Sequence, residues 1–442
     1  MSRFVPFGLR IIDDIVHGLI NIRNLPFFAC GAGKQPPKVP DDFTPVLRFA
    51  VCSDVHLNGD PEQDNAKKFA DLFKDCYAIC EADDRYKALD AVLVAGDFTG
   101  GGREAEYQSF NRIVSEQQRE GTQLLTVLGN HEFIAYRDKD ATVGYQVYCK
   151  MISGEIDTHT VINGFHFIGV SYSDDGKTFK TKKAWLKEQL KKAAADTPDA
   201  PIFVFQHPHP FLTVYGSINW GNTTVASVLR KFPQVFDFSG HSHYISNDPR
   251  SVWQGAYTAL GTAAINGLMG SLGYLNEFDY PEKAGEFYLV DVDFSGNVRV
   301  RLYDVVNHCF FKDIDYYFTD IGKKSSFVYS WHNRRRLDKA PSFPHNAQIS
   351  VEKSDSGEYV LIFPDANDKY VVEGYQIDIR KKSGKHVTSK QIPSNDHLPV
   401  SDGLMRTPIG ELESGQEYTV SIVAVNAYRK RSEKLKLTFR AQ

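Results

Sequence analysis

Five stretches of this chain are apolar at nearly every position, with no polar alternation. They are Phe49-Ala50-Val51-Cys52-Ser53, Ala91-Val92-Leu93-Val94-Ala95, Leu124-Leu125-Thr126-Val127-Leu128, Ile202-Phe203-Val204-Phe205-Gln206 and Val235-Phe236-Asp237-Phe238-Ser239. Short continuous runs of this kind read as strands covered on both faces. Between them the apolar period lengthens to that of a helix. The pattern predicts strands over 46–54, 90–96, 123–129, 165–172 and 202–206, and helices over 62–82, 104–119, 182–195 and 223–231. This alternation argues for α/β layering. Residues 286–293 and 297–305 flank Phe294-Ser295-Gly296 and read as a hairpin that closes the domain.

Each of the five runs ends on residues that bind metals. Asp54-Val55-His56 follows the first, Asp97 the second and Asn130-His131-Glu132 the third, while His207 ends the fourth and His241-Ser242-His243 the fifth. Ligands of open α/β sheets bind outside the carboxyl ends of the strands. Asp54, His56, Asp97, Asn130, His207, His241 and His243 make seven candidate ligands, too many for one tetrahedral ion, which takes about four. A carboxylate can bridge two cations, so Asp97 is assigned to both. Asp54, His56, Asp97 and His243 then serve a first ion, and Asp97, Asn130, His207 and His241 a second. The oxygen and imidazole donors, without cysteine, suit two divalent or mixed-valence ions, with Mn, Fe or Zn foremost and Co or Ni also compatible. Asp54 and His56, two apart, are expected to grip one ion from an extended strand end. Gly96, Gly129 and Gly240 each precede a ligand and are expected to let backbone approach the cluster. Two ions about 3.5–4 Å apart generate a bridging hydroxide and clamp both oxygens of an in-line displacement at phosphorus. His131, beside Asn130, is assigned as general acid for the leaving group, with Glu132 or Asp60 as candidates to orient it. Asn130, His209 and Arg103 are candidate substrate contacts; for Arg103 and His209 the alternatives are a solvated arginine and a rim histidine. The segment Tyr215–Asn222, with Trp220, is a candidate wall of the leaving-group pocket or a plain packed loop.

The motifs Asp54-Val55-His56, Gly96-Asp97, Gly129-Asn130-His131-Glu132, His207 and Gly240-His241-Ser242-His243 together resemble the calcineurin-like metallophosphoesterase superfamily, over roughly residues 46–310. The resemblance implies a four-layer α/β/β/α sandwich and the two-metal assignment above. It also implies hydrolysis of a small-molecule phosphate ester, with the histidine after the ligand asparagine acting on the leaving group. Phe98-Thr99-Gly100-Gly101-Gly102 follows the bridging aspartate in place of the acidic or arginine-containing extension of protein phosphatases. Gly100 stands where purple acid phosphatases place a ligand tyrosine. The match is greatest to bacterial phosphodiesterase relatives, including those acting on cyclic nucleotides, so a phosphodiester is expected. A phosphomonoesterase or nucleotidase on the same core is the alternative, and a non-catalytic metal-binding scaffold the third reading.

With 442 residues and a net charge of −4, the chain has room for two or three domains and no global attraction to nucleic acid. The six cysteines form neither a disulfide framework nor a zinc spacing. Residues 1–43 read as an amphipathic helix over Phe4–Arg23 and a linker. Asp13 and Asp14 break the apolar run, which leaves no transmembrane span and no convincing signal peptide. Such a helix either packs on the protein or lies on a membrane surface, so the expected location is cytoplasmic or peripheral to a membrane. The phosphoesterase domain is placed at 44–312 and a linker at 313–340. In that linker Tyr316, Tyr317 and Phe318 are expected to pack a domain junction and Arg334-Arg335-Arg336 to be solvated. From 341 to 442 the pattern is all-β. Leu412–Val420, with Tyr418 at a strand entry, resembles the tyrosine corner of a fibronectin type III domain, which implies a β-sandwich that contacts a protein or surface partner.

Overall fold

The computed structural model describes residues 33–152, 154–274 and 284–442. The amphipathic segment Phe4–Arg23 lies outside them. The chain divides into two units, one ending at Arg336 and one comprising Leu337–Gln442 with the segment that starts at Gly270.

The first unit is built on two six-stranded sheets. One carries β1 (Pro45–Cys52), β2 (Ala91–Val94) and β3 (Gln123–Thr126) in parallel, and β1 pairs antiparallel with Glu286–Asp293. That strand in turn pairs antiparallel with Val298–Asp304, and Val298–Asp304 with Cys309–Phe318. The other sheet runs β4 (Thr158–Ile162), β5 (Phe165–Val170), β6 (Ile202–Gln206), β7 (Val235–Ser239), β9 (Thr258–Gly261) and β8 (Val252–Gln254), with β5, β6, β7 and β9 parallel.

Alternate side chains of each run serve opposite layers, which is why the runs are apolar throughout. Phe49 and Val51 of β1, Leu93 of β2, Phe203 and Phe205 of β6 and Phe236 and Phe238 of β7 form one core between the sheets. Phe49 lies edge-on to Phe167 at 5.0 Å and to Phe203 at 4.8 Å. The intervening Ala50, Cys52, Val92 and Val94 face Phe69, Leu72, Phe73 and Cys76 of the helix Asp64–Ala82. Ile202 and Val204 belong to the same cluster as Leu186, Leu190 and Ala193 of the helix Lys183–Asp196. Helix, sheet, sheet and helix thus stack as four layers.

Tyr316 and Phe318 lie in the strand Cys309–Phe318 and join the inter-sheet core with Tyr329. These aromatics therefore complete the first unit's core. Of the three arginines, Arg334 is buried within the helix Trp331–Leu337 and donates to the carbonyl of Val252. The helix Thr142–Met151 and the strands β4, β8 and β9 have no counterpart in the sequence reading.

The second unit holds a three-stranded sheet (Ser350–Lys353, Tyr359–Pro364, Leu404–Gly410) and a four-stranded sheet (His386–Pro393, Val372–Lys381, Glu417–Asn426, Leu435–Arg440). Leu361, Phe363, Tyr375, Ile377, Val420 and Ile422 form its core. The hydroxyl of Tyr418 accepts the backbone N–H of Glu413 at 3.0 Å and fastens the turn ahead of its strand. No helix among the described residues is long and apolar enough to cross a membrane.

Candidate metal centre

The seven candidate ligands follow the carboxyl ends of β1, β2, β3, β6 and β7, on one edge of the paired sheets. Asp54, His56 and His243 form one group that could hold a cation, and Asp97, His207 and His241 form another. A third, His56, Asp97 and His131, shares members with both; within each group the ligand atoms lie within 4.8 Å of one another. Asp97 stands between the groups, its Oδ2 at 3.0 Å from His207 Nε2 and 3.8 Å from His131 Nε2.

The backbone at these ligands is not extended. β1 stops at Cys52, and Asp54, His56, Asp97, His241 and His243 all take positive φ, from 51° to 73°. Left-handed conformations at residues with a Cβ are strained, and cluster where structure over-determines them for function. Here the determinants are backbone hydrogen bonds between adjacent strand ends: Asp54 N–H to Gly96 O at 3.1 Å and His56 N–H to Asp97 O at 3.0 Å. Of the glycines before the ligands, Gly96 takes a left-handed φ of 84°, whereas Gly129 and Gly240 act through space. A Cβ on Gly129 would lie 2.1 Å from Asp97 Oδ1, and one on Gly240 2.4 Å from Asp54 Oδ2.

Candidate ligands are held by one atom and present another. Asp54 Oδ2 accepts the His241 N–H at 2.9 Å, while its Oδ1 is buried without a hydrogen-bond partner. Asp97 Oδ1 accepts the His131 N–H at 2.8 Å, leaving Oδ2 towards His207. His207 Nδ1 is 2.9 Å from the Ala95 carbonyl and His243 Nδ1 2.7 Å from that of Gly267, so each donates there and turns Nε2 to the cluster. Asn130 Oδ1 is buried and unpartnered. Imidazoles fixed by a backbone carbonyl on their far nitrogen are the usual outer support of metal ligands. His56 Nε2 and His243 Nε2 are 3.3 Å apart, and His241 Nδ1 and His207 Nε2 3.2 Å apart. Two nitrogens bound at about 2.0–2.1 Å to one tetrahedral ion would be separated by about 3.3–3.4 Å. The donor set fits a pair of cations.

Electrostatics agree. Burial opposes ionisation of Asp54, but the adjacent His243 and His207 outweigh it and hold the carboxyl well below its ordinary value; His207 does the same for Asp97. Burial drives His56 down to about 3 and His241 down to about 4, so both rings are neutral and carry lone pairs. For His207 burial is overcome by Asp97 and Asp54, which carry it up to about 9. Protons and divalent ions compete for such a ring.

His131 is about one-third exposed, and its Nδ1 lies 3.0 Å from the Gly100 carbonyl. That carbonyl, not Glu132 or Asp60, orients the ring. Glu132 is wholly buried and accepts four hydrogen bonds, from the N–H groups of Asp97, Thr99 and Gly129 and the hydroxyl of Thr99, at 2.7–3.0 Å. Burial and the charge of Asp97 push it up to about 7. It clamps the β2 and β3 loops together. Asp60 caps local turns, accepting from Glu62 N–H at 2.9 Å.

Two candidate substrate contacts have other partners. His209 is 1% exposed, and its ring nitrogens meet Ser239 Oγ at 2.9 Å and Ser242 Oγ at 2.7 Å. It braces the turn that carries His241 and His243. Arg103 is exposed and paired with Glu106 at 3.0 Å, at the start of the helix Glu104–Gln117. Gly102 faces the Glu132 carbonyl so closely that a Cβ would lie 2.0 Å from it, and Gly101 and Gly102 are buried. This glycine turn packs against the His131 loop.

The segment Thr262–Gly267 was not legible in the sequence. Ile265 N–H reaches Ser53 O at 3.1 Å and Asn266 N–H reaches Asp54 O at 3.2 Å, and Gly267 supplies the carbonyl behind His243. Its contributions are backbone groups, which leave no residue-type signature.

Residues 47–244 match the family model described as calcineurin-like phosphoesterase. A curated relative, UPF0046 protein K07C11.7 of Caenorhabditis elegans, is 23% identical over 219 residues, which cover 46% of this chain and 66% of that protein, just under two thirds. Among solved structures, a purple acid phosphatase from yellow lupin (Lupinus luteus) seeds superposes with a TM-score of 0.43 at 11% identity, covering 64% of this chain and 55% of that one. A two-domain fibronectin type III segment of chicken tenascin gives 0.18 at 14% identity, covering 36% of this chain and 66% of that one. Residues 47–244 thus match a calcineurin-like phosphoesterase domain, and strand-end histidines and aspartates of this stretch form clusters that could hold metal ions.

Proposed function

We propose that the first unit hydrolyses a phosphodiester on a two-metal centre, with Asp97 as shared ligand. The observation that carries this reading is the arrangement of half-engaged ligands, in which the buried Asp54 Oδ1, 3.1 Å from His243 Nε2, and the buried Asn130 Oδ1 accept no hydrogen bond from the protein. Two bound cations would supply an acidified water and neutralise charge on the phosphoryl oxygens. Asp54, His56 and His243 would hold one ion, and Asn130, His207 and His241 the other. His131, its Nδ1 proton donated to Gly100, keeps Nε2 towards the cluster and would deliver a proton to the departing oxygen.

A diester is favoured over a monoester because a monoester brings a second negative charge. Arg103, the basic side chain following the bridging aspartate, is already paired with Glu106 and does not answer it. The phosphomonoesterase reading shares every other feature. Hydrolysis of bis-p-nitrophenyl phosphate and p-nitrophenyl phosphate by the Mn-loaded chain decides between them. A tenfold preference for the monoester, about 1.4 kcal/mol in transition-state binding, would transfer the assignment. Absence of turnover on both esters with Mn, Fe, Zn or Ni would leave the metal-binding scaffold.

The all-β second unit, with its tyrosine-pinned turn, is read as fibronectin type III-like and as a module that contacts a protein or surface partner. Co-purification partners lost on deleting residues 341–442 would identify that role.

A further inference from the structure

Trp220 stands at the rim of the cluster on the His241 side. Its indole centroid is 6.1 Å from the His241 ring, at 89°, and 6.3 Å from the Tyr244 ring. It belongs to the helical turn Ser217–Trp220, which is held from several directions. Asn222 N–H donates to His209 O at 2.7 Å, Phe211 N–H to Asn222 O at 3.1 Å and Tyr215 N–H to Arg250 O at 3.0 Å. A Cβ on Gly216 would lie 2.7 Å from Ser242 Cβ, so this turn is pressed onto the residue between His241 and His243.

A buried stack supports the turn. Tyr244 lies parallel to Tyr215 at 3.9 Å, the Arg250 guanidinium sits over Tyr215 at 3.7 Å, and Asp248 fixes Arg250 by Nε–Oδ1 at 2.9 Å. Tyr215, Tyr244 and Arg250 are all at most 3% exposed. Trp220, at the top, is only half-buried. A large indole, rigidly propped and left partly open beside a candidate ligand, offers a flat apolar surface where a phosphoester's organic arm would leave the centre.

We propose that Trp220 is the wall of a subsite for a planar aromatic arm, of the size of an aryl ring or nucleobase, on the substrate ester. This rests on the phosphoesterase reading and adds the class of arm. It makes Trp220 a specificity residue, not a ligand and not an acid or base.

The test is calorimetric titration of the Mn-loaded full chain with phenylphosphonate and methylphosphonate, which share a head group and need no turnover. The expected result is tighter binding of phenylphosphonate by about tenfold or more in the native chain. That advantage should fall to about threefold or less in Trp220→Ala and be largely kept in Trp220→Phe, with metal content unchanged in both. An unchanged ratio in Trp220→Ala, an equal loss for both phosphonates, or no aryl advantage in the native chain each overturns the subsite. If the native chain shows the phosphonate pattern but cleaves no ester, the hydrolytic reading fails and the subsite stands. If it cleaves diesters without an aryl advantage in binding, the subsite fails alone.

Discussion

The Asp97 N–H donates to Glu132 Oε2 at 3.0 Å, so the shared candidate ligand hangs from a carboxylate that is not itself a ligand. The same side chain takes three further donors. Glu132→Gln puts an NH2 where at least one buried donor now finds an acceptor. An unsatisfied buried donor costs about 1–3 kcal/mol, so a loss of at least that size is expected. Denaturant unfolding reads the stability, and metal analysis should show weaker retention. A variant as stable as the native chain would mean that Glu132 is no clamp.

Gly129→Ala should be harsher on activity than on folding. Its Cβ would meet Asp97 Oδ1 at 2.1 Å, which displaces the ligand while the β-sheet core stays intact. A drop of about 100-fold or more in kcat/KM, roughly 2.7 kcal/mol, with a native circular dichroism spectrum is expected. Near-native turnover would show that Asp97 is not shared between ions.

His131→Ala is expected to keep both ions and lose turnover, with the loss smallest for leaving groups as good as p-nitrophenolate. His56, Asp97 and His131 form a group that could itself hold a cation. Metal content therefore separates the roles: loss of an ion on His131→Ala would make it a ligand.

A pH effect is expected away from the ligands. Asp237 is fully buried, accepts the Gln206 amide at 2.8 Å, and burial pushes its carboxyl up to about 7. An unfolded aspartate titrates near about 3.9. The folded chain thus holds an extra proton between these values, and the associated stability, complete below about 4, is lost as pH rises to about 7. Asp237→Asn, which keeps the acceptor, should remove that slope, at most about 1.4 kcal/mol per pH unit. Melting temperatures at pH 5 and pH 8 for both chains measure it; parallel shifts would place the pH dependence elsewhere.

Tyr418→Phe removes the hydroxyl that accepts Glu413 N–H. The expected cost is about 1 kcal/mol, confined to the unfolding of the second unit. No change would show that the turn stands without its pin.

The strands of the site were readable because burial on both faces forces unbroken apolar runs, as in Ile202–Gln206. The helix Asp64–Ala82 was readable from the stripe of Phe69, Leu72, Phe73, Cys76 and Cys80. The helix Thr142–Met151 was not, since Val143, Gly144 and Val147 are poor helix formers and alanine stands at its N-cap position. β8, of three residues, is shorter than a period can reveal. At the site, the spacing of Asp54, His56, Asp97, His207, His241 and His243 exposed the chemistry, but not the geometry. Their left-handed backbone, the carbonyls of Ala95, Gly100 and Gly267 and the burial of His209 arise from chain segments distant in sequence.

The left-handed backbone at Asp54, His56, Asp97, His241 and His243 also shapes how this centre can decay over evolutionary time. A copy of the chain released from selection for metal binding would still have to fold through the same five left-handed positions, in three loops. β-Branched replacements are disfavoured there by the second substituent on their Cβ, whereas Asn, Asp and Gly enter such conformations most readily. Descendants that have lost the ions should therefore carry mostly Asn, Asp or Gly at these positions, with Val and Ile nearly absent, a bias that chemistry alone would not impose.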